Sequence, residues 1–322
     1  MTEAAKGVVA IVAACLIWGF ATLYYKAMAF VPPLEVLSHR VLWTLVFFGT
    51  LLAVQGRFAE VWRLIFGPKG LRVAIAGSVI ALNWGIFIWA IQAGYAVESS
   101  LGYYILPLVS VVMGVALMGE RLMPAQAVAV ALAALAVLVL TYGMGVAPWI
   151  ALILAFSFAP YLVLKKEMAA PAVVSVTAEV LVIAPLAAIW LLGAHFAGWL
   201  EFGRPGGLWG QDPYTTLMLP VTGLISGLPL ILLSWGAQRV RLSTLGVVQY
   251  LNPTLQAFSA VVVMREPFTA WHGVAFGLIW LALAVYSVAA IRQERAARRA
   301  VSSMGMSDTT WNSPRTEGSA KP

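Results

Sequence analysis

The stretch Glu98-Ser-Ser-Leu-Gly-Tyr-Tyr-Ile-Leu-Pro107 has a counterpart later in the chain, Arg241-Leu-Ser-Thr-Leu-Gly-Val-Val-Gln-Tyr-Leu-Asn-Pro253. Each stretch reads Ser-x-Leu-Gly and continues into an apolar segment that contains a proline. A glutamate follows each segment, and the two prolines and the two glutamates, Glu120 and Glu266, are both 146 positions apart. The chain therefore contains a long internal repeat.

The repeat extends through both halves of the chain. Trp89-Ala-Ile-Gln92 and Trp235-Gly-Ala-Gln238 are separated by the same 146 positions. Earlier in each half, an offset of 140 positions pairs Lys26 with Lys166, Met28 with Met168, Trp18 with Phe158, and His39 with Glu179. These matches predict one unit at 1–146, a second unit at 147–292 and a separate tail at 293–322.

The composition is that of a membrane protein. Of 322 residues, 61% are hydrophobic and 10% are charged, and the mean hydropathy is +0.90. A soluble domain carries far more charge than this. Helices are expected rather than barrel strands, because strands of a membrane barrel alternate polar and apolar residues and this sequence does not.

Ten apolar runs are long enough to cross about 30 Å of hydrocarbon as helices. They lie at 7–29, 36–54, 71–93, 98–118, 124–142, 148–164, 174–196, 216–235, 243–264 and 270–291. Because each unit holds five helices, an odd number, the second unit enters the membrane in the opposite orientation. We therefore predict an all-α polytopic membrane protein with ten transmembrane helices in two inverted five-helix repeats, an architecture typical of secondary transporters.

The basic residues predict the orientation. With the N-terminus inside, the cytoplasmic loops and ends contain Lys6, Arg57, Arg63, Lys69, Arg72, Arg121, Lys165, Lys166, Arg239, Arg241, Arg292, Arg295, Arg298 and Arg299. The opposite face keeps Lys26, Arg40, Arg204 and Arg265. Positive charge concentrates on cytoplasmic loops, so both termini are predicted to be cytoplasmic.

The excess of basic residues, 20 Lys and Arg against 13 Asp and Glu, does not indicate a nucleic-acid partner. These charges lie in short loops beside helices, where anionic lipid explains them. The segment 293–322 begins with arginines and continues into Ser, Thr, Gly, Asn and Pro, so we expect it to be disordered.

An enzyme is not indicated. The sequence has no phosphate-binding loop ending in Lys, no Gly-x-Ser-x-Gly motif and no cluster of ligands at metal-binding spacing. We therefore expect no catalytic residues, no metal and no cofactor. The single Cys15 lies in the first apolar run and excludes an intramolecular disulfide.

Glu179 is the strongest candidate for a functional residue. It lies inside the seventh apolar run, between Ala178 and Val180. Insertion scales put the cost of a charged side chain at the bilayer centre at about 2.5 to 3.5 kcal/mol. Two interpretations are open: Glu179 couples transport to protons, or it is a packing contact that hydrogen-bonds to another helix. His39, its counterpart in the first unit, is the candidate proton relay.

Other charged residues have alternative roles. His39 lines a cavity or is satisfied by a neighbouring helix, and Arg40 extends to the headgroups or pairs with Glu35. Glu98 caps the start of the fourth helix or contacts substrate. Glu266 is expected to form a local ion pair beside Arg265.

Aromatic and amide side chains form a second set of candidates. Substrate contact or simple packing is open for Trp18, Tyr25, Asn83, Trp84, Tyr103, Gln249 and Tyr250. Pro107 and Pro253 each remove a backbone donor from a membrane helix, so we predict that both bend their helices beside the cavity and act in gating.

The combined motifs resemble the RarD-like members of the EamA group in the drug/metabolite transporter superfamily. The motifs are Ile17-Trp-Gly19, Glu35-x-x-x-His39-Arg40, Asn83-Trp84, Phe87-Ile-Trp89-Ala90, Ser100-Leu-Gly-Tyr103, Gly119-Glu-Arg121, Arg241-Leu-Ser-Thr-Leu-Gly246, Gln249-Tyr250 and Pro253-Thr254. The resemblance covers about residues 7–291. It implies ten helices in two inverted repeats around a central cavity, in a bacterial inner membrane.

Two functions follow from these observations. The first is a secondary transporter, an exporter of a small organic metabolite or drug, acting as a monomer or homodimer by alternating access. The second is a non-transporting membrane protein that handles lipid or supports a complex. Convergence of Trp18, Asn83, Tyr103, Glu179 and Gln249 on one space would favour transport.

Overall fold

The fold is a bundle of apolar helices. The computed structural model describes residues 1–118, 123–240 and 242–303. Its helices are α1 (Glu3–Ala27), α2 (Pro33–Val54), α3 (Phe58–Phe66), α4 (Gly70–Ala93), α5 (Ala96–Met118), α6 (Pro124–Met144), α7 (Trp149–Met168), α8 (Ala172–Phe196), α9 (Pro213–Ala237), α10 (Leu242–Gln249), α11 (Leu251–Phe258) and α12 (Ala270–Ser303). The predicted motif around Glu120 and the position of Arg241 lie outside the described residues.

Nine helices of the described ranges are long and apolar enough to cross a membrane. They correspond to all the predicted spans except the ninth. The predicted span 243–264 is divided into α10, α11 and a π-helical turn at Ser259–Val263. Pro253 lacks the N–H that would continue the ladder to the carbonyl four residues earlier, which accounts for the interruption at Tyr250. The total of ten spans stays a prediction.

The loop predicted at 55–70 contains a short helix, α3. Its apolar residues Phe58, Val61, Trp62 and Ile65 share one face at helical spacing, while Val61 is buried and Trp62 is exposed. Arg57 Nε donates to Glu60 Oε1 at 2.7 Å, and this hydrogen bond lowers the pKa of the Glu60 carboxyl. A nine-residue amphipathic helix suits the membrane surface rather than a span.

The last helix is longer than expected. We expected disorder from residue 293, but α12 continues to Ser303. The added turns are rich in Ala, Arg, Gln and Glu, which are strong helix formers. Residues 304–322 of the predicted tail lie outside the described residues.

The segment between α8 and α9 folds over one end of the bundle. It contains an antiparallel hairpin of two short strands, β1 (Leu200–Glu201) and β2 (Arg204–Pro205). The Glu201 carboxylate accepts a hydrogen bond from the Leu34 backbone N–H at 2.8 Å. Burial raises the pKa of Glu201, and the bond from Leu34 opposes that shift. The hairpin is thus tied to the start of α2.

Helices of the two halves interdigitate. α2 packs against α8 and α9, α1 against α9 and α11, α4 against α7 and α8, α5 against α7 and α11, and α6 against α12. Glycines permit the closest approaches. A Cβ at Gly223 of α9 would lie 2.5 Å from the Trp43 carbonyl carbon of α2. A Cβ at Gly77 of α4 would lie 2.8 Å from the Glu179 carbonyl oxygen.

Candidate functional site

Glu179 forms a buried ion pair with Lys165. The Lys165 Nζ lies 2.8 Å from Glu179 Oε1, and the Tyr161 hydroxyl donates to Oε2 at 3.0 Å. Lys165 also donates to Ser175 Oγ. The Glu179 side chain is 1% exposed and that of Lys165 is 21% exposed. The expectation that Lys165 lies in a cytoplasmic loop is wrong, since it belongs to the last turns of α7.

Helical geometry explains why these groups meet. Tyr161 and Lys165 are four residues apart on α7 and therefore lie on one face. That face meets the first turns of α8, which supply Ser175 and Glu179. The helix-to-helix hydrogen bond fits both interpretations of Glu179, proton coupling and packing.

A chain of aromatic rings runs from this pair through the bundle. Tyr161 contacts Phe158 with ring centroids 5.4 Å apart, and Phe158 contacts Tyr103 at 6.3 Å. Tyr103 contacts Phe87 at 5.6 Å, and Phe87 contacts Tyr25 at 5.9 Å. The rings come from α7, α5, α4 and α1, so the predicted residues Tyr25 and Tyr103 belong to one aromatic cluster at the meeting of both halves.

Arg40 is buried beside the other end of this aromatic chain. Its guanidinium carbon lies 4.0 Å from the Trp84 ring centroid and 5.7 Å from that of Tyr25. Its Nε donates to Ser226 Oγ of α9 at 2.7 Å. Arg40 is 6% exposed. The expectation that Arg40 reaches the headgroups or pairs with Glu35 is wrong.

The stacking partly offsets the cost of burying this cation. Insertion scales put an arginine at the helix centre at about 2.5 to 3.5 kcal/mol. A desolvated cation over a tryptophan face recovers about 2 kcal/mol. Arg40 was not predicted as a site residue, although its position beside His39 and about one turn inside the apolar run 36–54 was the available signal.

Glu35 has a different partner. Its carboxylate accepts the backbone N–H groups of Gly207 at 2.9 Å, Leu208 at 2.7 Å and Trp209 at 3.4 Å. Glu35 therefore fastens the segment after the hairpin over the start of α2. The buried His39 packs its ring 5.7 Å from that of Trp209, at the same end.

His39 and Glu179 do not meet. Each lies about 10 Å into its helix, from the start of α2 and the start of α8 respectively, by the helical rise per residue. No hydrogen bond joins them within the described ranges. The role of His39 as a proton relay stays a prediction.

Asn83 links α4 to α7. Its Nδ2 donates to the Leu154 carbonyl at 3.0 Å and to Ser157 Oγ at 2.9 Å. Its Oδ1 is buried without a hydrogen-bond partner among the described residues. Asn83 therefore binds α7, the helix that also carries Lys165 and two rings of the aromatic cluster.

The remaining predicted residues lie apart from this cluster. Trp18 is half-buried, and Gln249 is exposed at the end of α10. In the part of the chain that the structure describes, neither makes a hydrogen bond or ring contact with the cluster. Tyr250 lies at the break between α10 and α11, packed against the main core. Of the five residues expected to converge in a transporter, Asn83, Tyr103 and Glu179 therefore have contacts in or beside the aromatic cluster, and Trp18 and Gln249 do not.

The two prolines differ. Pro253 is buried in α11, three residues after the break and shortly before the π-helical turn. Pro107 lies within the continuous α5. The neighbouring Tyr104 hydroxyl and Thr254 Oγ1 are 2.6 Å apart and join the two proline-containing segments.

Glu266 caps a helix. Its carboxylate accepts the backbone N–H groups of Ala96 at 3.0 Å and Val97 at 2.9 Å, the first residues of α5. The expected ion pair with Arg265 is wrong. Glu266, not Glu98, supplies the negative charge that binds the N–H groups at the start of α5.

Within the described residues, no group of three or more His, Cys, Asp or Glu side chains could hold a metal ion. A groove of about 480 Å³ lies between α6 and α12. It is lined by Ala125, Ala284, Val285, Val288, Ala289 and Arg292, none of which is a predicted site residue.

The sequence is similar to bacterial transporters along nearly its whole length. Residues 5–142 match the model of the EamA-like transporter family. Protein RarD of Salmonella typhimurium is 39% identical, covering 90% of this chain and 97% of the relative. The uncharacterized transporter YojE of Bacillus subtilis is 34% identical, covering 92% and 98%. The chloramphenicol-sensitive protein RarD of Pseudomonas aeruginosa is 33% identical, covering 88% and 94%.

A solved crystal structure has a similar fold. It aligns with a TM-score of 0.57 and 22% sequence identity, over 87% of this chain and 96% of the other. At that identity the likeness concerns the fold alone. The relatives are transporters, which confirms the prediction that this chain is a multi-pass membrane protein and not an enzyme.

Proposed function

Because the chain belongs to the EamA-like transporter family, in its RarD-like branch, we propose that it is a secondary transporter that exports a small organic molecule from bacteria in exchange for protons. The transporter class is the premise. The substrate, the direction and the proton coupling are the proposal. The inner membrane is its proposed location.

The Lys165–Glu179 pair carries the proposal of proton coupling. A carboxylate buried within a membrane bundle is usually functional, since apolar packing would be cheaper. Glu179 has two partners on α7, Lys165 and Tyr161, so a proton on Glu179 would cancel the ion pair and loosen the contact between α7 and α8. Protonation would thus change how two helices of the second half pack, which is the kind of change that alternating access needs.

The direction of export is supported by the sealed end of the bundle. Glu35 and Glu201 fasten the segment around the hairpin over the start of α2. In the predicted orientation this end is non-cytoplasmic. A bundle closed at that end is suited to load substrate from the cytoplasm.

The test is transport by reconstituted protein with an imposed pH gradient. Proteoliposomes would be given a bacterial metabolite extract, and the compounds that cross would be measured by mass spectrometry. Glu179→Gln keeps the shape and hydrogen bonding of the side chain but cannot ionise. We expect it to abolish gradient-driven accumulation while the variant remains folded and inserted.

The matched control is Glu60→Gln, which makes the same chemical change on the surface helix α3. We expect it to accumulate substrate like the wild type. If Glu179→Gln also accumulates like the wild type, Glu179 is a packing contact and the proposal of coupling at this pair is wrong.

A further inference from the structure

Arg40 is a buried cation without a carboxylate partner in the described ranges. The ion pairs described there join Lys6 to Glu3, Arg57 to Glu60, Arg72 to Glu167, Lys165 to Glu179 and Arg239 to Glu3. Glu35, the acid nearest to Arg40 in sequence on α2, is occupied by three backbone N–H groups. An arginine side chain keeps its positive charge at physiological pH.

The guanidinium also has free donors. Only its Nε is used, by Ser226 Oγ at 2.7 Å. Within the described residues no acceptor is bonded to Nη1 or Nη2. Two terminal nitrogens in one plane match the two oxygens of a carboxylate or of a phosphate group, which makes an arginine the preferred group for bidentate binding of such anions.

The surroundings of Arg40 hold it in place and leave further polar groups unpaired. Trp84 lies under the guanidinium at 4.0 Å, and Ser226 in turn donates to the Thr222 carbonyl at 2.9 Å. The Tyr25 hydroxyl and Thr44 Oγ1, one turn beyond Arg40 on α2, are buried without hydrogen-bond partners among the described residues. Buried hydroxyls in proteins are normally bonded, so these two hydroxyls, on the Arg40-contacting Tyr25 and one turn along α2, are free to bind a ligand that reaches Arg40.

We propose that the transport site takes a small organic anion, whose carboxylate or phosphate group is bound by Arg40 and whose apolar body lies against the aromatic cluster of Tyr25, Phe87 and Tyr103. This rests on the proposed function, because it assigns the substrate class of that same site. Within the described residues no carboxylate lies within ion-pair distance of Arg40 to hold the ammonium group of a zwitterion, so this part of the site favours an anion. The cation and the aromatic rings together select an amphiphilic anion.

The experiment separates substrates by charge. A bacterial metabolite extract is split at pH 7 by anion exchange into an anionic fraction and a fraction of neutral and cationic compounds. Each fraction is given to proteoliposomes that contain the full chain, with empty liposomes as the background. We expect compounds that cross only with the protein to come from the anionic fraction.

Two variants at Arg40 test its role. Arg40→Gln keeps a donor for Ser226 but removes the charge, and we expect it to slow anion crossing at least tenfold. Arg40→Lys keeps the charge without the planar fork, and we expect it to recover part of the rate and the preference for anions. A purely structural role of Arg40 in linking α2 to α9 would change the rate without changing the preference for anions. Gel filtration of each variant checks that it is folded.

The outcomes distinguish this inference from the function on which it rests. Crossing confined to neutral and cationic compounds, or an Arg40→Gln variant with unchanged anion crossing, would overturn the anion site and leave transport standing. If compounds of neither fraction cross, transport itself is refuted and the anion site with it. Should Arg40→Gln fail to fold, the wild-type comparison of the two fractions still decides.

Discussion

Lys165 and Glu179 stabilise each other in a place where neither charge is stable alone. Breaking a buried pair by removing one partner costs about 3 to 5 kcal/mol, because the other charge is left uncompensated. The partial exposure of Lys165, 21%, places this pair toward the lower end of that range. The pair is thus a stability element and a candidate switch at once.

A double-mutant cycle measures the interaction energy between Lys165 and Glu179. We expect Lys165→Met to lower the melting temperature of the purified protein, since it leaves the buried Glu179 carboxylate without a cation and with only the Tyr161 hydroxyl as a partner. Combining Lys165→Met with Glu179→Gln removes both charges, so we expect the double variant to melt at a higher temperature than Lys165→Met alone. Additive losses in the cycle would mean that the two side chains do not interact.

The sequence identified Glu179 as a candidate but not its partner, Lys165. Glu179 stood out because a carboxyl inside an apolar run is costly wherever the helix packs. Lys165 did not, because the predicted helix ended at 164, one residue before it. α7 extends to Met168, so an error of four residues at a helix end moved this lysine from the loop to the site. Arg40 was missed for a related reason, since its burial depends on Trp84 and Ser226 from helices far away in sequence.

The broken span around Pro253 is the irregular element of the bundle. α10 and α11 meet at Tyr250, and a π-helical turn follows α11. Turns of this kind often mark functional sites. α5 is the corresponding element of the first half and remains continuous through Pro107.

We expect Pro253→Ala to slow transport more than Pro107→Ala does. Alanine restores a backbone donor and favours a straight helix. Pro253 lies beside the break between α10 and α11, whereas Pro107 lies in a continuous helix. A straighter helix would therefore alter the backbone more at Pro253 than at Pro107. Transport rates and melting temperatures of the two single variants provide the comparison. Wild-type rates in both variants would count against a gating role for either proline.

Close helix contacts give a second prediction at this scale. Alanine at Gly223 would place its Cβ 2.5 Å from the Trp43 carbonyl carbon, so α9 would have to move away from α2. We expect Gly223→Ala to lower the melting temperature. Gly277→Ala on α12 is the matched control, because nothing lies within 4 Å of a Cβ there and alanine favours a helix. Equal melting temperatures would show that the α2–α9 contact tolerates a methyl group.

The lengths of the apolar runs predicted most of the helices. Nine spans within the described ranges match it. α3 was missed because nine residues are too few for a span and its amphipathic spacing lies within a segment interpreted as a loop. The hairpin was missed because strands of two residues carry no periodicity.

The helix contacts of the whole molecule are symmetric between the two halves, while the inversion of the second half stays a prediction. In this comparison each span of one half is exchanged with the corresponding span of the other half, so that α1 corresponds to α7, α2 to α8, α4 to α9, α5 to α11 and α6 to α12. The exchange converts the α1–α9 contact into α7–α4, the α2–α9 contact into α8–α4, and the α1–α11 contact into α7–α5, and all of these contacts occur. The exchange leaves the contacts α2–α8, α5–α11 and α6–α12 unchanged. A set of contacts that is unchanged by this exchange is expected when two copies of one unit are related by a twofold axis.

The orientation of the whole molecule is tested by cysteine labelling. Cys15 is buried, and Cys15→Ser removes it from the background. Single cysteines would replace Gln55, at the end of α2, and Gln211, in the segment before α9, both of which are exposed. Basic residues concentrate around the first position, so it is predicted to be cytoplasmic and the second non-cytoplasmic.

We expect a membrane-impermeant maleimide to label Gln211→Cys in intact spheroplasts and Gln55→Cys only after the membrane is opened. Labelling of Gln55→Cys in intact spheroplasts would reverse the orientation, and the end sealed by Glu35 and Glu201 would then face the cytoplasm, which would favour uptake over export.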